Sequence, residues 1–202
     1  MSKNVVYLDF RAALSAFDKF FYHGELRTKL NTEKNKKDFV RTRAPHLKRA
    51  LDTGMKSLEY RKSERLHGGV NRVLVEEELA AVGAILGRKY SEIKIIRHSL
   101  FNCDAFSCFM TTEGLRYTEA FAGSGEFAVV RIVTSVLEAP EKSLVLLDEP
   151  EVSLHPGAQD RLLDFLTTIV KKHKHQVVIS THSPAIVRKL PPEAIKVLAM
   201  DS

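Results

Sequence analysis

The stretch that most constrains this fold is Leu144-Val145-Leu146-Leu147-Asp148-Glu149-Pro150, an apolar run that stops at two adjacent carboxylates. Apolar residues without alternation predict a strand covered on both faces of a sheet. A helix is expected from Gly157 to Lys172, then a second apolar strand from Val177 to Ser180. A helix from Pro184 to Leu190 and a last strand near Ile195 to Leu198 extend the alternation. Upstream, Ala122-Gly123-Ser124-Gly125 reads as a turn into an apolar helix, Glu126 to Leu137, closed by Pro140. Strands alternating with helices of this length predict parallel βαβ units, hence an α/β class.

That topology gathers chemistry. In a right-handed βαβ unit both parallel strands end at one edge of the sheet. One delivers Asp148 and Glu149 there, the other Thr181 and His182. Open α/β sheets bind ligands at these carboxyl ends. Asp148 is expected to hold Mg²⁺ through water, since that hard ion takes few protein ligands. Glu149 is placed to polarise an attacking water as general base. His182 is placed to hydrogen-bond a γ-phosphate oxygen.

Each element also has an ordinary reading. Asp-Glu-Pro after a strand can start a solvated loop. Ser183-Pro184 is a common helix start, and Glu126 suits the first turn of a helix. The order and spacing together favour the site. What the sequence does not contain is the phosphate-cradling pattern G-x-x-x-x-G-K-[ST]. Thr53-Gly54-Met55-Lys56-Ser57 comes nearest, but it lacks the upstream glycine and has Met55 between Gly54 and Lys56.

The N-terminal half has another character. Residues 1–100 hold 21 Lys/Arg against 12 Asp/Glu, a net +9, while residues 101–202 hold 10 against 13, a net −3. A basic half can attract nucleic acid or an acidic partner, and a solvated helical arm explains the same charge. Val5 to Leu8 reads as a short strand and Arg11 to Tyr22 as an amphipathic helix. Pro45 is expected to interrupt any helix in the charged stretch from Glu25 to Arg65. His67-Gly68-Gly69 reads as a loop, and Glu76 to Leu86 as a helix ending at Gly87. Two strands are expected at Glu92–Arg97 and Ala105–Met110. Cys103 and Cys108 give neither a disulfide framework nor a zinc quartet. No apolar run spans a bilayer and no signal-peptide pattern opens the chain, so a cytoplasmic protein without a membrane partner is expected.

Over residues 113–200 these motifs resemble the C-terminal half of an ABC/AAA-type ATPase head, as in SMC/RecF-like, OLD-family and bacterial defence-type ATPases. Asp148-Glu149-Pro150-Glu151 resembles the extended Walker B motif, and Ser153-Leu154-His155-Pro156 the D-loop. Ser180-Thr181-His182-Ser183-Pro184 resembles the switch-histidine loop, and Gly123-Ser124-Gly125-Glu126 a degenerate signature motif. Upstream, Ile85-Leu86-Gly87-Arg88-Lys89-Tyr90 fits the insert that precedes the signature in such proteins.

The resemblance implies a P-loop-NTPase-like lobe at residues 113–202, carried with a basic, mainly helical arm at 1–112. It implies ATP and Mg²⁺ as cofactors, and a second head, either a homodimer mate or a split partner chain. Ser124, Gly125 and Glu126 would then contact the γ-phosphate of the opposite subunit, with Ser153 and His155 also at the nucleotide. The implied function is ATP hydrolysis driving a nucleic-acid-linked or defence effector. The alternative is a non-catalytic remnant or regulatory binding module. Nuclease activity is not expected, because no Toprim-like acidic cluster accompanies the head.

Overall fold

The computed structural model describes residues 3–10, 14–28 and 32–198. In chain order it has β1 (Val5–Asp9), α1 (Ala16–Asp18, continuing as a π-helical turn Lys19–His23), α2 (Lys36–Thr53), β2 (Leu66–Val73), α3 (Glu76–Leu86), β3 (Glu92–His98), β4 (Ala105–Thr112) and β5 (Leu115–Thr118). The chain continues through α4 (Ser124–Leu137), β6 (Leu144–Asp148), α5 (Pro156–His173), β7 (Gln176–Ser180) and α6 (Pro184–Lys189).

The strands form two sheets. A parallel sheet has the order β1-β6-β7, and an antiparallel one runs β2-β3-β4-β5. The βαβ unit inferred from two apolar runs is therefore present, with α5 as its crossover. β1 pairs in register with β6, so the chain's first strand belongs to the same sheet as the acidic strand end. The boundary expected at residues 112/113 falls in the β4–β5 turn, and both sheets draw strands from either side of it.

Helix α4 makes the main core possible. Val129, Val130, Ile132 and Val133 are fully buried, and Phe127, Ala128 and Val136 nearly so. A helix apolar on all sides must be covered on all sides, and α4 joins one core with Val145 and Leu147 of β6, Ile93 and Ile95 of β3, and Leu162 and Leu166 of α5. Each such side chain contributes about 1.5–3 kcal/mol. A second core joins Phe20, Phe39, Leu47 and Leu51 of the arm to Ile96 and Ala105 of the antiparallel sheet.

Several expectations change. α2 runs unbroken through Pro45 for 18 residues, capped by the Asn35 side chain and ended by Gly54 in the left-handed region. The buried face of Phe39, Leu47, Ala50 and Leu51 holds the helix together where one backbone hydrogen bond is lost. Gly68 and Gly69 lie inside β2 rather than in a loop. Both have positive φ, and the β2–β3 register shifts between Leu66 and Asn71, so the pair makes a bulge. The hairpin β4–β5 turns on Glu113-Gly114, both at positive φ, which is the chemistry of a tight two-residue turn.

The expected strand near residues 195–198 does not form. Pro192–Ala194 makes a 3₁₀ turn and Val197 and Leu198 stand exposed. β7 consequently pairs only with β6 among the described residues. Coverage on two faces is also not found. Val145 and Leu147 point into the core, while Tyr7, Leu146 and Val178 form a row across the opposite face. Tyr7 is 60% and Val178 57% exposed. The apolar run is continuous, but α4 and α5 supply cover on one side alone.

Candidate functional site

The three parallel strands end in register, with Asp9 beside Asp148 and Asp148 beside Ser180. The Ser180 hydroxyl donates to Asp148 Oδ1, fixing that carboxylate at the sheet edge. Immediately afterwards Glu149 takes φ 50°, the left-handed region that a side-chain-bearing residue seldom occupies. Its own N–H donates to the Ser180 carbonyl at 2.9 Å, and its carbonyl accepts from the Val152 N–H at 3.1 Å. Strain of this kind collects at functional sites. Its effect here is geometric: the chain turns sharply and Glu149 Oε1 comes within 3.4 Å of His182 Nε2. Glu149 is mostly buried, whereas the His182 side chain is 87% exposed. Asp148, Glu149 and His182, separated by up to 34 positions, are thus brought to one edge.

The switch-like loop is tied down by a residue to which the sequence reading gave no role. Glu151 Oε1 accepts from the Thr181 hydroxyl at 2.6 Å and from the His182 N–H at 2.9 Å, while its Oε2 is buried without a hydrogen-bond partner. Ser183 caps α6 by accepting from the Ala185 N–H at 3.2 Å, and its hydroxyl donates to Gln159 Oε1 at 2.5 Å. Gln159 in turn donates to the Leu154 carbonyl at 2.8 Å. The acidic turn, the D-loop-like turn and the switch-like loop therefore form one hydrogen-bonded unit. Ser180 and Glu151 both lay within quoted motifs, and only pairing across β6 and β7 reveals what they hold.

The other expected residues form an adjoining group. A Cβ added at Gly125 would sit 2.5 Å from the Ser153 carbonyl oxygen and 3.0 Å from the Leu154 side chain, so the signature-like and D-loop-like turns touch backbone to backbone. Ser124, Ser153 and His155 are exposed on this surface, and His155 Nδ1 accepts from the Gly157 N–H at 3.2 Å to cap α5. Glu126 faces inward. Its Oε1 accepts from Arg88 at 2.7 Å, Tyr90 at 2.5 Å and Tyr117 at 3.0 Å, and its Oε2 from the Gly123 N–H at 3.2 Å. The Tyr90 hydroxyl is held well above its usual range by burial and by this carboxylate. Glu126 thus fastens the start of α4 to the turn after α3. A recess of about 530 Å³ runs along α3 to Arg88 and Tyr90, away from the carboxylate edge.

The donors at the edge suit Mg²⁺ in kind: the Asp148 carboxylate and the Ser180 hydroxyl are both hard oxygen ligands. No cage of three acidic, His or Cys side chains forms among the described residues, so an ion here would keep several waters. No helix among them is long and apolar enough to cross a membrane.

Protein ea59 of Escherichia phage lambda is 38% identical over 69 residues, which cover 34% of this chain and 13% of ea59. The aligned part is thus a small share of that relative's length. Among solved structures, an SMC ATPase described for ATP-driven dimerization and DNA-stimulated activation matches 55% of this chain and 67% of its own, at 16% identity and TM-score 0.40. An SMC head bound to the C-winged helix domain of ScpA matches 93% of this chain and 49% of its own, at 15% identity and TM-score 0.42. Residues 9–188 match the family described as "AAA domain, putative AbiEii toxin, Type IV TA system", and the chain belongs to that AAA-domain family.

Proposed function

We propose that this chain supplies the carboxylate, signature and switch-histidine part of a composite ATP-hydrolysing site, working in the cytoplasm. The observation that carries the reading is the convergence of Asp148, Glu149 and His182, with Glu149 held 3.4 Å from His182 by a left-handed turn. Asp148, steadied by Ser180, would be the residue that holds Mg²⁺. Bound Mg²⁺ would neutralise charge on the phosphoryl group being transferred. Glu149 orients the attacking water and takes its proton, while the exposed His182 side chain hydrogen-bonds the terminal phosphate. Ser124 and the backbone at the start of α4 face a second head, whose nucleotide they contact. The phosphate loop comes from a segment outside the described lobe or from a partner chain. The driven process is nucleic-acid-linked or defensive.

Glu149→Gln is the direct test. With the phosphate-loop half supplied, the variant should lose at least about a hundredfold in turnover while keeping ATP-dependent association of heads. Undiminished hydrolysis would remove Glu149 from the role of base. A Mg²⁺-ATP titration of the chain by itself separates this reading from a regulatory module: micromolar affinity without a phosphate loop would contradict the split-site assignment.

A further inference from the structure

Three segments of the basic arm converge on one recess far from the carboxylate edge. Arg27 follows α1, Arg43 lies on α2, and Arg61 and Arg65 belong to the connection before β2; together they line a cavity of about 440 Å³. A neighbouring cavity of about 410 Å³ shares Arg27, Arg65 and Asn102 and extends it toward Ser99. The recess is therefore a trough. Asn102 fixes its wall by donating to the Arg27 carbonyl at 3.0 Å.

The charge in the trough is not balanced from within. Glu33 lies fully buried behind Arg43, with its carboxyl pulled down to about 2 against its burial by hydrogen bonds from Arg43, Thr28 and Thr42. Arg43 uses that carboxylate, leaving Arg61 only a longer contact of 3.6 Å to the same oxygen. Glu25 pairs with Arg27 at 2.7 Å, and Asp104 on the far rim pairs with Arg97. Arg65 has no carboxylate within ion-pair distance among the described residues, and its Nε donates to the Tyr60 carbonyl at 3.3 Å. Five guanidiniums thus meet three carboxylates.

We propose that this trough binds the phosphodiester backbone of single-stranded nucleic acid, with Arg61 and Arg65 as its principal phosphate ligands. Forked guanidiniums match phosphate oxygens two at a time, which ammonium groups do not. A recessed basic groove that follows a backbone is the form in which single strands are held. The inference is independent of the ATP site.

Fluorescence anisotropy with a labelled oligonucleotide of about 15 nucleotides, read between roughly 50 and 200 mM salt, tests it on the whole chain. Arg61→Gln with Arg65→Gln should weaken binding at least about tenfold and lower the salt slope by about two. Arg61→Lys with Arg65→Lys keeps the charges and should keep the slope. Lys171→Gln with Lys174→Gln, remote cations at the end of α5, should change affinity less than about twofold. Equal weakening by the remote pair would overturn the trough as the site. Tighter binding of the matching duplex, or displacement of the oligonucleotide by polyglutamate at equal charge, would overturn the assignment to single strands.

Discussion

Glu119 and His98 sit on either side of Ser107 in a buried chain of hydrogen bonds that leads toward the signature-like turn. The Leu100 N–H donates to His98 Nδ1 at 3.1 Å, which leaves Nε2 protonated and facing Ser107 Oγ at 2.9 Å. Ser107 donates onward to Glu119 Oε1 at 2.6 Å, and the Cys108 N–H donates to Oε2 at 2.9 Å. Burial pushes the Glu119 carboxyl up to about 7 from 4.5, and pulls His98 down to about 4 from 6.5. The signs oppose. For Glu119 the folded state keeps a proton that the unfolded chain has lost, so stability falls as pH rises from about 4.5 to 7. For His98 the unfolded chain holds the extra proton, so stability falls as pH drops from about 6.5 to 4. Between about 4.5 and 6.5 the two cancel. Glu119→Gln should therefore unmask the His98 slope, with stability rising by roughly 1.4 kcal/mol per pH unit over that window. Urea unfolding across the same pH range measures it; an unchanged profile would show that the pair does not titrate as buried. Neither residue was legible in the sequence, because burial and strand register create the pair. Glu151 is similar: its place in the acidic run is plain, but its hold on Thr181 and His182 depends on β6 and β7 being neighbours.

At the scale of elements, the sequence carried most where one physical rule dominated. α3 shows helical periodicity and a closing Gly87, and its bounds match the expectation at Glu76–Leu86. α4, β6, α5 and β7 follow from apolar runs of the right length. The failures came where distant packing decided. Pro45 is tolerated because the buried face of α2 outweighs one lost bond, and the glycines of β2 mark a bulge that only the partner strand defines. The contact between the signature-like and D-loop-like turns was equally hidden, since a glycine in a turn does not announce what approaches it. Gly125 has no positive φ, so its need is space alone. A methyl group there would meet the Ser153 carbonyl at 2.5 Å, a position no ordinary side chain occupies. Gly125→Ala should separate the two turns and cost about 1–3 kcal/mol, as other forced overpacking does. Gly123→Ala is the control, because nothing lies within 4 Å of its added Cβ. Thermal unfolding of both variants decides the matter: equal melting temperatures would show that the turns are not in firm contact.

Across the whole molecule, the uncovered face of the parallel sheet links the fold to the proposed composite site. Parallel sheets are stable when covered on both faces, yet Tyr7, Leu146 and Val178 run in register across a face that no described helix covers. β7, the strand that presents Thr181 and His182, pairs on one side alone among the described residues and so leaves an edge of free backbone groups. A phosphate-loop half that seats a strand along β7 and a helix over this row would bury the apolar face, and it would bring its loop to the end where Asp148 and Glu149 stand. Exposed apolar strands left alone invite association, so this surface is where the proposed second half would dock. Val178→Lys, at a position 57% exposed, tests this by charging the centre of the docking row. The substitution touches no core residue and should shift the chain's own stability by less than about 0.5 kcal/mol. It should nevertheless weaken association with the phosphate-loop half by at least about tenfold, because a lysine would be buried unpaired. Arg188→Glu on the exposed side of α6 provides a charge change outside the row. If Val178→Lys leaves assembly and ATP turnover intact while Arg188→Glu abolishes them, the second half docks against α6, and the open sheet face has another use.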